Sequence, residues 1–406
     1  MPDEPAVSPL PSGIRSRHLA LHDLNLHILE SSPEINPRPG SSKPHLIILL
    51  HGFPELSFSW RKVMPPLSQA GYYVVAPDHR GIGRTTSVNS PAGQISFDDD
   101  LTPFCMLSLV KDVVSIVYAL DYDHVTALVG HDFGSLLAGY CALIRPDIFR
   151  SVVMMSAPFP GSPTLRIKSS PSHLSLGEMA ARLQDQLATL IPPRKHYTMY
   201  YSTRDANAHL LRPPQGLRTF FREYYHAKSA DWVANSPHPL PSASASALAE
   251  LPHYYIMLRD QTMPEAVMNV RHLHEGVPAW LTDEELSVYV TEYSRTGFQG
   301  GLNWYRCATD AKWSSELEVF SGKRIAVPAM FISGEKDWGT YQSPGVAESM
   351  KERVCERMED EDFVLIEGAG HWVQQEKSDA VVENLLRFLG KVEDSFMKGD
   401  QTNPPI

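Results

Sequence analysis

The sequence predicts an α/β fold, in which helices cover both faces of a mostly parallel sheet and one helical insertion interrupts the chain. Short apolar runs alternate with amphipathic helical runs in the first 160 residues, as in parallel strands joined by helices. From about residue 161 to about residue 323 the alternation stops and the chain becomes rich in Tyr, His, Pro and Arg; sheet-type runs then resume. We therefore expect a discontinuous core, residues 1–160 and 324–406, and a helical cap domain over residues 161–323.

The strands of this core are predicted from short apolar runs, and its helices from apolar residues at helical spacing. The predicted strands are His45–Leu50, Tyr72–Ala76, Val125–Val129, Ser151–Ser156, Pro328–Ser333 and Phe363–Glu367. The predicted helices are Glu55–Ala70, Cys105–Leu120, Ser135–Ile144 and Ala380–Leu389. In an open parallel sheet the carboxyl ends of the strands carry the functional site, so the residues after each strand matter most.

Composition narrows the classes of protein to consider. The chain has 406 residues, of which 43% are hydrophobic, so it can bury a full core. A formal net charge of -11 without a basic cluster argues against nucleic acid and anionic membranes as partners. Cys105, Cys141, Cys307 and Cys355 are far apart, which argues against a zinc site or a disulfide framework and favours a reducing compartment. Without an apolar signal segment or a membrane-spanning stretch, we expect a cytoplasmic protein.

The most informative segment is Gly130-His131-Asp132-Phe133-Gly134, between a predicted strand and a predicted helix. It has the form of the Gly-x-Ser-x-Gly nucleophile elbow, with aspartate in place of serine. A carboxylate in this position is suited to displacing a leaving group from a saturated carbon and keeping the product as an ester. Helix-terminal N–H groups favour its ionised form. Taken alone, the segment would be better explained as the start of a helix that is capped by Asp132.

Two further strand ends supply candidate partners for Asp132. His51-Gly52-Phe53-Pro54 follows the first predicted strand, where the Phe53 N–H and the Phe133 N–H would form a two-donor oxyanion hole. Asp337 follows the strand at Pro328–Ser333, and Glu335 is the competing carboxylate two residues before it.

His371 lies in Gly368-Ala369-Gly370-His371-Trp372, just after the last predicted strand. Each of these positions alone is more often structural, as a turn, a helix cap or a surface histidine. Together, each after a strand, they favour a nucleophile, an acid and a histidine that act on one substrate.

With these motifs the sequence resembles the α/β-hydrolase superfamily, and within it the soluble epoxide hydrolases, over nearly its whole length. The order of nucleophile, acid and histidine along the chain is also that of the superfamily. The resemblance lies in His51–Glu55, Asp78–Gly83, Gly130–Gly134, Thr296–Arg306 and the neighbourhoods of Asp337 and His371. Where this family has a tryptophan after the nucleophile, the chain has Phe133, which keeps the N–H but changes the pocket wall.

The resemblance also implies two cap tyrosines that point at the nucleophile. Tyr305, in Asn303-Trp304-Tyr305-Arg306, matches the second of them. Met199-Tyr200-Tyr201-Ser202 is similar to the segment that carries the first, and we expect Tyr200, with Tyr201 as the alternative. The expected substrate contacts are Tyr200, Tyr305, Phe53 and Trp372.

The activity that the resemblance implies is hydrolysis of an ether bond, the opening of an epoxide to a vicinal diol. Asp132 would attack a ring carbon while Tyr200 and Tyr305 protonate the ring oxygen. His371, oriented by Asp337, would then activate the water that hydrolyses the ester. The implied partners are a small-molecule epoxide and water, with no cofactor and no metal.

Two alternatives stay open at this stage. Haloalkane and haloacid dehalogenases of this fold also use an elbow aspartate and a histidine-activated water, but halide leaves without a proton. A ligand receptor or a natural-product enzyme of the same fold could retain the pocket without this hydrolysis. His272 and His274, and Tyr254-Tyr255, are interpreted as cap packing, because no cluster of metal ligands accompanies them.

Overall fold

The computed structural model describes residues 10–34, 43–88, 94–165, 176–268, 270 and 276–399. Ten strands form one sheet in the order β1-β2-β4-β3-β6-β7-β10-β11, in which β5 also pairs with β2 and β12 with β10. The two remaining strands, β8 and β9, pair with each other. The strands are β1 Arg15–Ala20, β2 Leu24–Ser31, β3 His45–Leu50, β4 Tyr72–Pro77, β5 Thr86–Ser87, β6 Ala127–His131, β7 Val152–Met155, β8 Arg194–His196, β9 Ile256–Leu258, β10 Ile325–Gly334, β11 Cys355–Arg357 and β12 Phe363–Ile366.

From β4 to β11 all neighbouring strands are parallel, whereas β1, β2 and β5 form an antiparallel edge. Helices connect and cover the sheet or lie in the long segment between β7 and β10. They are α1 Met64–Gln69, α2 Met106–Ala119, α3 Phe133–Ile144, α4 Leu176–Ala188, α5 Tyr197–Tyr201, α6 Ala206–Leu211, α7 Leu217–Lys228, α8 Ala245–Leu248, α9 Met263–Ala266, α10 Asp283–Thr296, α11 Gln299–Thr309, α12 Ala311–Glu316, α13 Val346–Ser349, α14 Val373–Glu376 and α15 Ser378–Gly399.

The predicted α/β fold with a mostly parallel sheet is confirmed. The six predicted strands are present as β3, β4, β6, β7, β10 and β12, although β6 begins at Ala127. The helix predicted over Glu55–Ala70 is wrong, because the structure has a 3₁₀ turn at Ser57–Trp60 and then the short α1. Pro65 and Pro66 lack an N–H group and fit only in the first turn of a helix, so the helix begins just before them.

The core lies on both faces of the sheet, as β3 illustrates. Leu46, Ile48 and Leu50 belong to the hydrophobic cluster on one face, and Ile47 and Leu49 to the cluster on the other. Side chains alternate between the faces of a strand, so a strand covered on both sides is apolar throughout. This is why the central strands could be predicted from unbroken apolar runs.

Between β7 and β10 the chain forms nine of the helices above and the β8–β9 pair, and we call residues 161–323 the helical insertion. It is bound to the rest of the protein by polar side chains as well as by apolar packing. Arg61 Nε donates to Glu285 of α10 at 2.7 Å, and the Tyr225 hydroxyl of α7 donates to the Pro54 carbonyl oxygen at 3.0 Å. These contacts place the insertion over the loop that follows β3.

Among the described residues, none of the helices combines the length and the apolar character needed to cross a membrane.

Candidate active site

The turn between β6 and α3 holds Asp132 in a backbone conformation that few residues adopt. Its φ angle is 54° and its ψ angle is -118°, and non-glycine residues take positive φ only where the surroundings impose it. A side chain on Gly130 would put Cβ 2.0 Å from the Gly134 carbonyl oxygen, and one on Gly134 would put it 2.4 Å from the Leu50 carbonyl oxygen. Both glycines of the segment are therefore required by close backbone contacts.

The Asp132 carboxylate contacts two of the groups singled out in the sequence. The Phe53 N–H donates to Oδ1 at 3.1 Å, and Nε2 of His371 lies 3.4 Å from Oδ2. Burial disfavours the charge, but the contact with His371 and the charges of Lys228 and His131 hold the pKa of Asp132 well below its usual value. The carboxylate is therefore ionised and available as a nucleophile at neutral pH.

The loop after β3 approaches the carboxylate closely. A Cβ on Gly52 would lie 2.4 Å from Cβ of Asp132, so only glycine lets this loop bring the Phe53 N–H to the carboxylate. Phe133 begins α3, and the first N–H groups of a helix have no acceptor within it. The two amides predicted for the oxyanion hole therefore flank the same carboxyl group.

His371 links Asp132 to a second carboxylate. Its Nδ1 lies 3.1 Å from both carboxylate oxygens of Asp337, and Asp337 also accepts the Gly339 N–H at 2.6 Å. Although burial opposes ionisation, the contact with His371 and the hydrogen bond from the Gly339 N–H lower the pKa of Asp337. Glu335, the competing carboxylate, is exposed. The Asp132–His371–Asp337 arrangement has the geometry of a nucleophile, a base and an orienting acid.

A cavity of about 230 Å³ opens in front of the carboxylate. Two tyrosines of the insertion line it, Tyr197 and Tyr305, and their ring centroids are 5.9 Å apart. Burial and then the charge of Asp132 raise the pKa of each, so both hydroxyls stay protonated and able to donate at neutral pH.

The expectation for Tyr200 is wrong, because its side chain points away from the cavity. Its hydroxyl lies 3.3 Å from Nδ1 of His209, and its ring lies beneath the Lys195 ammonium, 4.9 Å from the ring centroid. The alternative, Tyr201, is fully buried behind Tyr305, with a ring centroid distance of 4.9 Å. The tyrosine that faces Asp132 is instead Tyr197, the first residue of α5.

Two expected substrate contacts are also absent from the residues that line the cavity. The Phe53 ring is buried among aromatic side chains and packs on Tyr305 at 5.7 Å, so Phe53 reaches the site through its N–H alone. Trp372 is fully buried, and its indole N–H donates to the Tyr225 carbonyl oxygen at 2.8 Å. Its ring supports His371 from behind, with the centroids 4.7 Å apart.

The cavity continues past Phe133 into an apolar space of about 140 Å³. Phe133 and Leu136 line both spaces, and Trp304 stacks on Phe133 with the ring centroids 4.3 Å apart. A substrate held at Asp132 therefore has apolar surface beside the reacting carbon.

Among the described residues, no group of three His, Cys, Asp or Glu side chains could hold a metal ion.

The sequence analysis assigned no role to Glu55 and His131, which also belong to the site. Glu55 Oε2 accepts from Nδ1 of His131 at 2.5 Å and from the Gly52 N–H at 3.0 Å. The other ring nitrogen, Nε2 of His131, lies 2.7 Å from the carbonyl oxygen of His371. Burial disfavours both charges, but the negative charge of Glu55 and the positive charge of His131 stabilise each other. The pKa of His131 is therefore raised and that of Glu55 is lowered. This buried ion pair fixes the loop after β3 and the loop that carries His371.

Lys228 is a third residue that the sequence analysis missed. Its Nζ lies 3.2 Å from Nε2 of His371, on the same ring nitrogen that faces Asp132. Of the residues interpreted as packing, Tyr254 and Tyr255 are buried around this lysine. His272 and His274 lie outside the described residues.

Comparisons with known proteins show the family of this chain. Residues 45–378 match the family described as the alpha/beta hydrolase fold. Epoxide hydrolase A of Mycobacterium tuberculosis is 31% identical over 351 residues, which cover 86% of this chain and 91% of that protein. Epoxide hydrolase 3 of Siraitia grosvenorii is 28% identical, over 85% of this chain and 92% of that protein.

Solved structures give the same result. An epoxide hydrolase from an endophytic Streptomyces superposes with a TM-score of 0.71 at 25% identity, covering 95% of this chain and 97% of that one. Epoxide hydrolase I of potato (Solanum tuberosum) gives a TM-score of 0.66 at 26% identity, over 93% of this chain and 99% of that one. The chain belongs to the α/β-hydrolase fold family and, within it, to the epoxide hydrolases.

Proposed function

We propose that this protein opens epoxides to vicinal diols through a covalent ester on Asp132. The observation that carries the proposal is one ionised carboxylate held between the Phe53 N–H and Nε2 of His371, in a cavity lined by two protonated tyrosines. In the first step a carboxylate oxygen of Asp132 bonds to a ring carbon and the carbon–oxygen bond of the epoxide breaks. The ring oxygen takes a proton from Tyr197 or Tyr305, and a hydroxyalkyl ester of Asp132 forms.

In the second step His371 removes a proton from water, and the hydroxide oxygen bonds to the carboxyl carbon of Asp132. The N–H groups of Phe53 and Phe133 hold the oxyanion that results. When this intermediate collapses, the diol oxygen receives the proton from His371 and the diol leaves. Asp132 then loses the proton of its acid form and the tyrosinate regains one, so the enzyme is restored. One diol oxygen comes from Asp132.

The helical insertion serves as the cap of this site in our proposal, with residues 1–160 and 324–406 as the core. Support comes from Tyr197 and Tyr305, both supplied by residues 161–323, and from the apolar space beside Phe133. Such a cap excludes water from the alkylation step and admits a bulky apolar epoxide. No organic cofactor or metal is needed for either step.

The tyrosines also favour epoxides over halides. Haloalkane cleavage releases an anion that needs no proton, whereas two buried hydroxyls next to a carboxylate can protonate an oxygen that leaves as an alkoxide.

The compartment we propose is the cytoplasm, because Cys105, Cys141, Cys307 and Cys355 are all buried as free thiols. Compartment-specific thiol labelling of the expressed protein would test this, and disulfide-linked cysteines would contradict it.

The test of the activity is intact-protein mass spectrometry of His371→Gln, mixed separately with an epoxide panel and a haloalkane and haloacid panel. We expect a mass gain equal to the whole epoxide, mapped to Asp132 by peptide sequencing and absent from Asp132→Ala. A gain equal to substrate minus hydrogen halide would identify a dehalogenase instead. If parent enzyme and variant neither turn over nor retain any member of either panel, the hydrolase proposal fails in favour of a ligand receptor.

A further inference from the structure

Lys228, the last residue of α7, is a buried lysine whose neighbours are mostly aromatic. Its side chain is 4% exposed, and the rings of Tyr224, Tyr254, Tyr255 and Trp372 surround Nζ with centroids 5.0 to 5.8 Å away. Aromatic faces attract a cation at this range but do not neutralise it. Its hydrogen-bond partner in the structure is Nε2 of His371, at 3.2 Å.

The direction of that hydrogen bond defines the form of the imidazole ring. A lysine ammonium has three donors and no acceptor, so Nε2 of His371 must offer its lone pair. The Nδ1 proton then points to Asp337, whose oxygens lie 3.1 Å away. While Nδ1 keeps its proton, a second proton on Nε2 would make the ring a cation within 3.2 Å of the ammonium in a buried site, which is strongly unfavourable.

Without a nearby cation the ring would favour its protonated form. Asp132 and Asp337 lie on opposite sides of His371, and two carboxylates stabilise an imidazolium between them. A protonated histidine cannot accept a proton from water, so it would first have to lose its own. The positive charge of Lys228 helps to lower the pKa of both Asp132 and Asp337, and so stabilises the same two carboxylates while leaving Nε2 free of a proton.

We propose that Lys228 is a positioning residue that keeps His371 in its neutral, basic form through the direct contact with Nε2. This inference rests on the proposed function, because it assigns His371 the task of activating water for hydrolysis of the Asp132 ester. The step that Lys228 favours is the second one, since the first step does not use His371 as a base.

Two other titratable side chains near the ring, His131 and Glu376, have partners of their own. The His131 ring lies 5.0 Å from the His371 ring, but its charge is balanced by Glu55 at 2.5 Å. Glu376 accepts the Gly370 and Trp372 N–H groups on either side of His371, at 2.9 and 3.0 Å.

The insertion side adds neutral groups and one further backbone contact. Burial raises the pKa of Tyr254 and of Tyr255, so both hydroxyls are uncharged at neutral pH. The Lys228 carbonyl oxygen accepts the His371 N–H at 2.8 Å. Removing the ammonium therefore changes the charge at Nε2 while the backbone contact persists.

A direct test is ¹⁵N spectroscopy of the histidine rings in the parent protein and in Lys228→Met, with His371→Gln to assign the signal. Methionine is unbranched, uncharged and only one atom shorter than lysine, and it fits the aromatic surroundings. At pH 7 we expect Nε2 of His371 to carry no proton in the parent and to be protonated in Lys228→Met. A protonated Nε2 in the parent overturns the proposal, and this measurement decides the matter even if the variant does not fold.

A kinetic test separates the two chemical steps, using rapid quench with styrene oxide and mass spectrometry of the ester. In Lys228→Met we expect the acid limb of ester hydrolysis to move up by about one pH unit or more, while the alkylation rate and the plateau at high pH are retained. Below the new limb the ester then accumulates, because hydrolysis slows about tenfold for each pH unit by which the limb has moved. Lys228→Arg should restore part of the parent profile.

The matched control is Lys195→Met, which removes a cap lysine that also lies over a tyrosine ring but is not in contact with His371. Its pH profile should equal that of the parent. Equal slowing of both steps in Lys228→Met at every pH would show a merely structural role and refute the proposal, as would an unchanged acid limb. An ester formed equally well by Asp132→Ala would refute the proposed function itself, a separate outcome.

Discussion

Replacing Tyr197 by phenylalanine tests which insertion residue donates to the epoxide oxygen. Only the hydroxyl is lost, since the ring keeps its neighbours Tyr255, Tyr201 and Tyr305 at 5.3, 5.6 and 5.9 Å. Tyr305 still donates, so one of two donors to a developing alkoxide disappears. Loss of one comparable oxyanion donor slows a reaction by about 10²–10³. We expect a decrease of that size in the alkylation rate of Tyr197→Phe.

The same change should have little effect on the free energy of unfolding. The Tyr197 hydroxyl donates to the Gln342 side chain at 3.2 Å, and losing one such bond costs about 1 kcal/mol. Single-turnover rapid quench with styrene oxide gives the alkylation rate, and urea unfolding gives the stability. The control is Tyr200→Phe, whose hydroxyl faces His209 and which should retain the parent rate. If Tyr200→Phe were the slow variant and Tyr197→Phe were not, our assignment would be refuted.

Three further predictions concern Asp337, Gly52 and Asp78. Asp337→Asn should slow ester hydrolysis by about 10⁴-fold and spare alkylation, because a neutral amide no longer stabilises the imidazolium that forms when His371 takes a proton from water. Exposed Glu335→Gln is the control, and equal losses in both variants would contradict the assignment. Gly52→Ala should slow both steps, since the added Cβ would meet the nucleophile at 2.4 Å and displace the loop; a crystal structure with unmoved loop and full activity would show otherwise. Asp78 is buried, but the charge and hydrogen bond of His27 hold its pKa below the usual 3.8. Its contribution to the free energy of unfolding is therefore present above about pH 4 and is lost as the pH falls toward the folded-state pKa. Urea unfolding should therefore show a stability deficit of Asp78→Asn that is large at pH 7 and smaller at pH 3, and an equal deficit at both pH values would refute this.

The positions that were predicted from sequence are those fixed by the backbone of the sheet. Phe53, Asp132, Asp337 and His371 each follow a parallel strand, and the carboxyl ends of these strands meet at one edge, so strand order alone brings them together. The N-terminal strands β1 and β2 lie on the antiparallel edge, and the sequence analysis did not predict them.

Groups from the insertion depend on details that local patterns do not encode. Tyr197, Tyr200 and Tyr201 all belong to the short α5, at a spacing that puts them on neighbouring faces, so the choice among them depends on how the helix packs. Lys228 meets His371 across 143 positions of sequence, and nothing in its local segment indicates a contact with a histidine.

The backbone bonds between the insertion and the histidine loop limit how this enzyme opens. The His371 N–H is bound to Lys228, and Glu376 joins the Ala230 N–H to the Gly370 N–H at 2.8 and 2.9 Å. Any motion that lifts this end of α7 also pulls on the segment that holds the imidazole of His371 against Asp337. Substrate entry and product release must therefore use rearrangements elsewhere on the rim of the cavity, and a form that is wide open at this end is an inactive form.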